Sequence, residues 1–310
     1  MTSKSAFVSG ASGFIGVNLV KQLVSLNWDV TAMHRESSNL QYLSKIPVRR
    51  VVGDITQLES LLKIMPENTD AVFHVAGNVS FDSSGDITQN RDNIDGTKNM
   101  VTCSIEKNIS RFIHTSSGAS WGLQDNMTIT EESPSNVHDI PINYFRTKKL
   151  AEDEALAGLK RGLDVVVINP ANVVGPFDNV IWGPFVESIF KGDLRTVGTG
   201  GAAFCHVEEV AKAHISAFYK GKRGNKYLLA GTQASFQEVG ETVANILGAV
   251  PPIASSEGDP SMTPEMSKLM SLTQMIDCSK AIEALGFKSV SLQKMFSDLC
   301  AWMNEEELLN

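Results

Sequence analysis

Short, predominantly apolar runs alternate with helical stretches through the first three quarters of this chain, and that alternation admits few folds. The runs are Ala6–Ser9, Val30–His34, Val48–Val52, Ala71–Val75, Phe112–Thr115, Val165–Asn169 and Tyr227–Ala230. Strands buried on both faces read as such runs rather than as apolar–polar alternation, and helical segments between them supply the cover. The pattern predicts an α/β protein built on a doubly wound parallel sheet. The rhythm breaks after Pro170. Residues 173–203 are rich in Gly, Pro and aromatics, His206–Lys220 reads as a helix, and the chain from Ser235 is mainly helical. Pro251, Pro252, Pro260 and Pro264 punctuate a loop before a closing helix over Leu292–Glu307. The expected division is a larger unit over 1–172 and 204–232 and a smaller, mainly helical unit over 173–203 and 233–310.

Composition narrows the function classes. With 310 residues, 42% of them hydrophobic and 20% charged, the chain has material for a sizeable core, which excludes disorder. A net charge of -8 argues against nucleic acid or an anionic membrane surface as partner, since both reward basic patches. Cys103, Cys205, Cys278 and Cys300 are far apart, with no Cys-x-x-Cys pair to suggest zinc or a redox dithiol, so they read as reduced packing residues and no metal site is expected. No apolar run approaches membrane-spanning length, and the first ten residues lack a signal-type apolar region, so the expected location is the cytoplasm.

The first strand feeds Gly10-Ala11-Ser12-Gly13-Phe14-Ile15-Gly16. Three glycines at this spacing permit a tight turn and let a pyrophosphate approach the backbone at a helix N-terminus, so Gly10, Ser12, Gly13, Phe14, Ile15 and Gly16 are candidate dinucleotide-binding residues. The spacing is Gly-x-x-Gly-x-x-Gly rather than Gly-x-Gly-x-x-Gly. At the end of the second strand, where an acidic side chain would bind the ribose of NAD, the chain reads Met33-His34-Arg35. Arg35, with Ser37 and Ser38, suits the additional phosphate of NADP; Glu36 turned inward would instead serve NAD. Asp54 in Gly53-Asp54-Ile55 has two roles open, a contact to the adenine amino group and a helix N-cap.

Reduction of a carbonyl needs a proton donor beside the oxygen as hydride reaches the carbon, and an unperturbed tyrosine with pKa near 10 is a sluggish donor. Tyr144 and Lys148 lie four apart on an expected helix and share a face, so the lysine charge lowers the tyrosine pKa and the ammonium reaches the nicotinamide ribose. Ser117, just past the fifth strand, would orient the substrate oxygen. Each residue alone is compatible with an ordinary surface or turn position; their order and spacing together point to chemistry.

These residues resemble an extended short-chain dehydrogenase/reductase of the epimerase/dehydratase group, in the branch of dihydroflavonol 4-reductase-like ketone and aldehyde reductases. The resemblance covers about residues 5 to 230. It rests on Gly10, Gly13 and Gly16, Asp54, Ala76 with Gly77, Asn93 in Asn-Ile-Asp-Gly-Thr, Ser117 in Thr-Ser-Ser, Tyr144 and Lys148, Pro170 in Asn-Pro-Ala-Asn-Val-Val-Gly-Pro, and His206-Val207. It implies a Rossmann domain as the larger, NADP-binding unit and a substrate-binding smaller unit, with Ser117, Tyr144, Lys148 and Asn93 as catalytic residues. It further implies Ile55, Ala76, Gly77, Pro170 and Val173 at the cofactor, the last two near the carboxamide. Read locally, Asn93 is equally a buried hydrogen-bonding residue.

The departures choose among members. Ala202 stands four residues before His206, where nucleotide-sugar epimerases carry an arginine for the substrate diphosphate. Gly122 stands five after Ser117, where plant dihydroflavonol reductases carry an asparagine. Phe81, Trp121, Phe177 and Trp182, with Phe145, Phe185 and Phe204, suit an apolar carbonyl compound, although some of these aromatics belong to the core. The expected activity is NADPH-dependent reduction of a ketone or aldehyde. The alternatives are an epimerase or dehydratase with bound NAD, and a non-catalytic NADP-sensing regulator. The resemblance leaves open a homodimer through Arg91–Asn108 and Tyr144–Arg161, and a monomer.

Overall fold

A computed structural model of the protein describes residues 3–81, 85–257 and 263–309. Its strands, in chain order, are β1 (Ser5–Ser9), β2 (Asp29–His34), β3 (Arg49–Val52), β4 (Ala71–His74), β5 (Arg111–Thr115), β6 (Val165–Pro170), β7 (Asn172–Val174), β8 (Gly201–His206), β9 (Lys226–Leu229) and β10 (Thr232–Ser235), beside four short strands elsewhere. The principal helices are α1 (Phe14–Ser25), α2 (Leu58–Ile64), α3 (Gly96–Glu106), α4 (Asn143–Ala157), α5 (Trp182–Lys191), α6 (Val207–Lys220), α7 (Phe236–Leu247) and α8 (Leu292–Glu305).

Seven strands form one parallel sheet in the order β9-β6-β5-β4-β1-β2-β3, and each of the seven apolar runs read from the sequence is one of them, with ends moved by about one residue. The side-chain period of two divides the sheet between two cores. Ala6, Val8, Ala71, Phe73, Ile113, Val166 and Ile168 point into a cluster closed by α1 and α6. Phe7, Val72, Phe112, Val165 and Val167 point into a second, closed by α3 and α4. Burial on both faces is why β4 and β6 have no exposed residue. The winding reverses between β1 and β4, and in such sheets the crevice beyond the strand C-termini at the reversal receives ligands.

A third core lies outside the sheet. The β10-β8-β7 sheet, antiparallel between β8 and β10, packs with α5, α7 and α8 around Trp182, Phe204, Phe236, Met295, Phe296 and Leu299. α7 begins with a reciprocal capping box between Ser235 and Glu238 and stops at Gly248 in the left-handed region. α8 reaches back to the start of the chain: Trp302 meets the Tyr42 ring edge-on, and Gln41 Nε2 donates to Glu306 Oε2 at 3.0 Å. Among the described residues, no helix is long and apolar enough to cross a membrane, and the four cysteines are unpaired.

Arg111 fastens three elements near the far end of the sheet. Its Nε and Nη2 donate to Asp164 Oδ2 at 3.0 and 2.6 Å, while Nη1 donates to the carbonyls of Ala217, Phe218 and Gly221 at 2.9–3.0 Å. One guanidinium thus gathers carbonyls at the C-terminus of α6 and ties them to the start of β6. A lysine has no fork to reproduce this. Arg111→Lys and Arg111→Ala are each expected to lower stability by about 2–3 kcal/mol, read as a fall in the urea midpoint; an unchanged midpoint would remove the clamp from the list of stabilising contacts.

Candidate active site

The turn after β1 is built by exclusion. Gly10 has φ of +69°, and a Cβ there would stand 2.6 Å from the amide nitrogen of Ala76; a Cβ on Gly16 would stand 2.0 Å from the Gly10 carbonyl oxygen. Neither position admits alanine without moving backbone. Gly13 is the N-cap of α1 in an extended conformation, with no side-chain cap and no acidic residue in the first turn. The first-turn amides of a 12-residue helix therefore meet no protein carboxylate, and Ser12, Phe14 and Ile15 are partly buried around them. This cradle fits the pyrophosphate of a dinucleotide.

The rest of the cofactor-side residues surround the same crevice. Ala76 backs onto Gly10, and a Cβ on Gly77 would lie 3.5 Å from Asn93 Oδ1 and 3.8 Å from Lys148 Nζ, so this two-residue segment joins the glycine turn to the catalytic candidates. Arg35 is exposed just past β2; its amide donates to Ser38 Oγ and its carbonyl accepts from the Ser38 amide, both at 3.0 Å. The guanidinium makes no ion pair with any described residue. Asp54 Oδ1 accepts from the amide and hydroxyl of Thr56, each at 2.8 Å, a local turn; the N-cap of α2 is Gln57, which removes the capping role read for Asp54. Ile55 is buried against Gly96. Pro170 closes β6 fully buried, and Val173 on β7 is partly buried.

Ser117, Tyr144 and Lys148 converge. Ser117 follows β5 and opens the turn Gly118–Trp121, its Oγ accepting from the Ala119 amide at 3.1 Å. Its side chain faces the Tyr144 hydroxyl. Burial holds the Tyr144 hydroxyl above its ordinary range, and the polar Ser117 side chain is what opposes it. This corrects the expectation that Lys148 lowers it. The Lys148 ammonium, 7% exposed, instead donates to the Thr115 carbonyl at 2.9 Å. Burial lowers Lys148 to about 8, against the pull of Glu152 one turn further along α4.

Asn93 sits in a π-helical turn over Arg91–Asp95, a geometry that recurs at functional positions. Its Oδ1 accepts from the Asn78 amide at 2.7 Å, and its Nδ2 donates to the Asn78 carbonyl and to Thr147 Oγ1, each at 3.0 Å. The side chain stitches the segment after β4 to the helix of Tyr144.

Of the four aromatics read as substrate-side, one lies at the chemistry. Phe81, 39% exposed, meets the Tyr144 ring edge-on with centroids 5.2 Å apart. Trp121 is 2% exposed, packs with Ile129 and Leu228, and has Lys226 Nζ 4.1 Å from its ring centre. Trp182 is packed among Phe185, Phe204 and Phe296. Phe177, with φ of +76°, packs between Tyr42 and Trp302 under Lys21. Trp121 and Trp182 are core residues, and Phe177 is partly buried where two cores meet: large aromatics fill interiors as readily as clefts, and composition does not say which. Sequence reasoning missed Thr147 and Glu152, although both stand at helical spacing from Tyr144 and Lys148.

The NAD dependent epimerase/dehydratase family matches residues 6–230. A Synechocystis sp. protein provisionally named a dihydroflavonol 4-reductase is 28% identical, over 96% of this chain and 93% of its own length. Cinnamoyl-CoA reductase 1 of Petunia hybrida is 30% identical over 72% of this chain and 71% of its own. The solved structure of UDP-glucose 4-epimerase from Thermotoga maritima with UDP-glucose has a TM-score of 0.84 at 20% identity, over 98% of this chain and 99% of that one. The family match runs from the second residue of β1 to just past β9, the span that builds both the sheet and the site, and the chain belongs to the NAD dependent epimerase/dehydratase family, the extended short-chain dehydrogenases/reductases.

Proposed function

We propose that the protein is an NADPH-dependent reductase of a ketone or aldehyde carbonyl on a relatively apolar small molecule. The observation that carries this reading is the meeting of Ser117, Tyr144 and Lys148 beside the glycine cradle, with an exposed phenylalanine, Phe81, against the tyrosine ring. NADPH bound along the cradle would supply the hydride. Tyr144 gives its proton to the developing alkoxide, Ser117 holds the carbonyl oxygen, and Lys148 supplies positive charge beneath them. Arg35 has no described ion-pair partner and is free to meet the additional phosphate of NADP. The units assigned by sequence fit this division: residues 1–172 and 204–232 hold the cofactor, and 173–203 with 233–310 cover the substrate.

Two further observations favour a reductase over a nucleotide-sugar enzyme. Ala202, on β8 opposite Ala234, offers no charge to a diphosphate. Two relatives across most of the chain carry reductase names. Tightly bound NAD with turnover of nucleotide sugars would support the epimerase alternative; NADP(H) binding without turnover on any carbonyl would support a regulator.

NADPH oxidation against a panel of aryl, alkyl and 3-oxo carbonyls is the direct test. Tyr144→Phe is expected to lower kcat by about 10²–10⁴-fold, and turnover near that of the unaltered protein would sink the mechanism. Arg35→Ala is expected to weaken NADPH about 10–100-fold, the worth of lost hydrogen bonds to a charged group, while leaving NADH unaffected; equal loss for both cofactors by calorimetry would remove the phosphate role. The pH dependence has a fixed sign. Lys148 is charged below about 8 and loses its proton above it, so kcat/KM falls as pH rises through that value. A profile flat across that range would show that the lysine charge is not used.

A further inference from the structure

One buried carboxylate has no part in the mechanism above, yet it joins the helix of Tyr144 and Lys148 to the turn of Ser117. Glu152, 1% exposed, lies on α4 one turn beyond Lys148 and two beyond Tyr144. Its Oε2 accepts from Ser116 Oγ at 2.8 Å, Ser120 Oγ at 3.1 Å and Asn169 Nδ2 at 2.6 Å. Ser116 and Ser120 flank Ser117 in the same turn, and Asn169 Nδ2 also donates to the Ser117 carbonyl at 3.2 Å. The second oxygen, Oε1, pairs with Lys226 Nζ at 3.3 Å, whose ammonium lies over the Trp121 ring. A carboxylate this deep is tolerated only when its oxygens are paired, and these four donors pair both.

We propose that Glu152 is a positioning residue: its single carboxylate clamps the turn carrying Ser117 onto the helix carrying Tyr144 and Lys148, against a counter-charge at Lys226. The inference rests on the reductase reading for its kinetic consequence, but not for the clamp. Serine at 116 and 120 holds both ends of a short turn to one point, so the Ser117 hydroxyl between them has little freedom relative to the tyrosine. The carboxylate also fixes the electrostatics of the site. The charged and titratable groups facing this region are Tyr144, Lys148 and Glu152 on α4, His74 on β4, His114 on β5 and Lys226 on β9. Only Glu152 among them brings negative charge at neutral pH, and it favours the protonated form of Lys148.

The test is Glu152→Gln, which keeps the shape and removes the charge, with Glu152→Asp as the conservative variant. The first readout needs no substrate: the titration midpoint of the Lys148 ε-carbon, followed by NMR on selectively labelled protein, is expected to fall in Glu152→Gln and to be largely restored in Glu152→Asp. An unchanged midpoint overturns the proposal. The second readout is kinetic. Displacing the serine from its working position is expected to lower kcat about 100-fold, in the range that misplacement by about 1 Å produces, with the basic limb of the pH profile moved to lower pH. A loss of melting temperature with kcat and the pH profile unmoved would mark a merely structural residue and also overturn it. If the midpoint falls as expected while the unaltered protein turns over no carbonyl, the clamp stands and the reductase reading fails. Should Glu152→Gln not fold, Ser120→Ala carries the test: it removes one clamp bond and leaves the carboxylate on Lys226, and kcat is again expected to fall. Unchanged kcat in that variant overturns the proposal.

Discussion

The backbone of Gly10 and the backbone of α1 approach each other more closely than any side chain allows, and the geometry of the crevice follows from that contact. With no room for a methyl group at Gly16, the helix starts against the turn, and its first-turn amides face the crevice at the point where the sheet reverses its winding. Gly10 in turn sits against Ala76, which fixes the segment leaving β4. That segment delivers Gly77 and Asn78 to Asn93 and brings Lys148 within reach. Cofactor cradle and catalytic candidates are two ends of one chain of backbone contacts.

Charge is distributed with similar economy. His74 and His114 beneath α4, and His214 on α6 across the sheet, are held neutral by burial, His74 between Ser9 and Thr97 and His214 against Thr115 and the Val210 carbonyl. The ionised groups in that interior are lysines at its margin and a single carboxylate between them. Neutral imidazoles shield the sheet from a second competing charge, so the field at Tyr144 is set by few groups. Low dielectric makes each of those groups count for more than it would in water.

The sheet was legible because its strands are buried on both faces, which forces continuous apolar runs; boundaries moved by a residue and no strand of the sheet was misplaced. The strands around the third core, two to six residues long, carry no such pattern and were not read. At the site, Tyr144, Lys148 and Ser117 were legible because spacing along a helix and position after a strand fix direction. Trp121, Trp182 and Phe177 were not, because an aromatic residue says nothing about whether its ring faces solvent or core. The tuning of Tyr144 was misassigned for a related reason: i, i+4 spacing places two groups on one face but does not reveal that the Thr115 carbonyl competes for the lysine. Asp54 shows the same limit at a shorter range, since the Thr56 amide and hydroxyl claim its carboxylate locally.

The contacts of α8 with the segment after β2 bear on how the chain reaches this state. Gln41 and Glu306 are bonded across 265 positions, and Tyr42 leans on Trp302 from the far end of the sequence. Bonds between such remote partners form after the entropy of closing nearly the whole chain has been spent. During synthesis the strands of the sheet emerge in order up to β9 while Tyr42 and Phe177 still lack their cover. The aromatic surface of Tyr42 and Phe177 therefore stays open to solvent and to neighbouring chains until α8 has been made, which makes that helix a latch on the segment after β2.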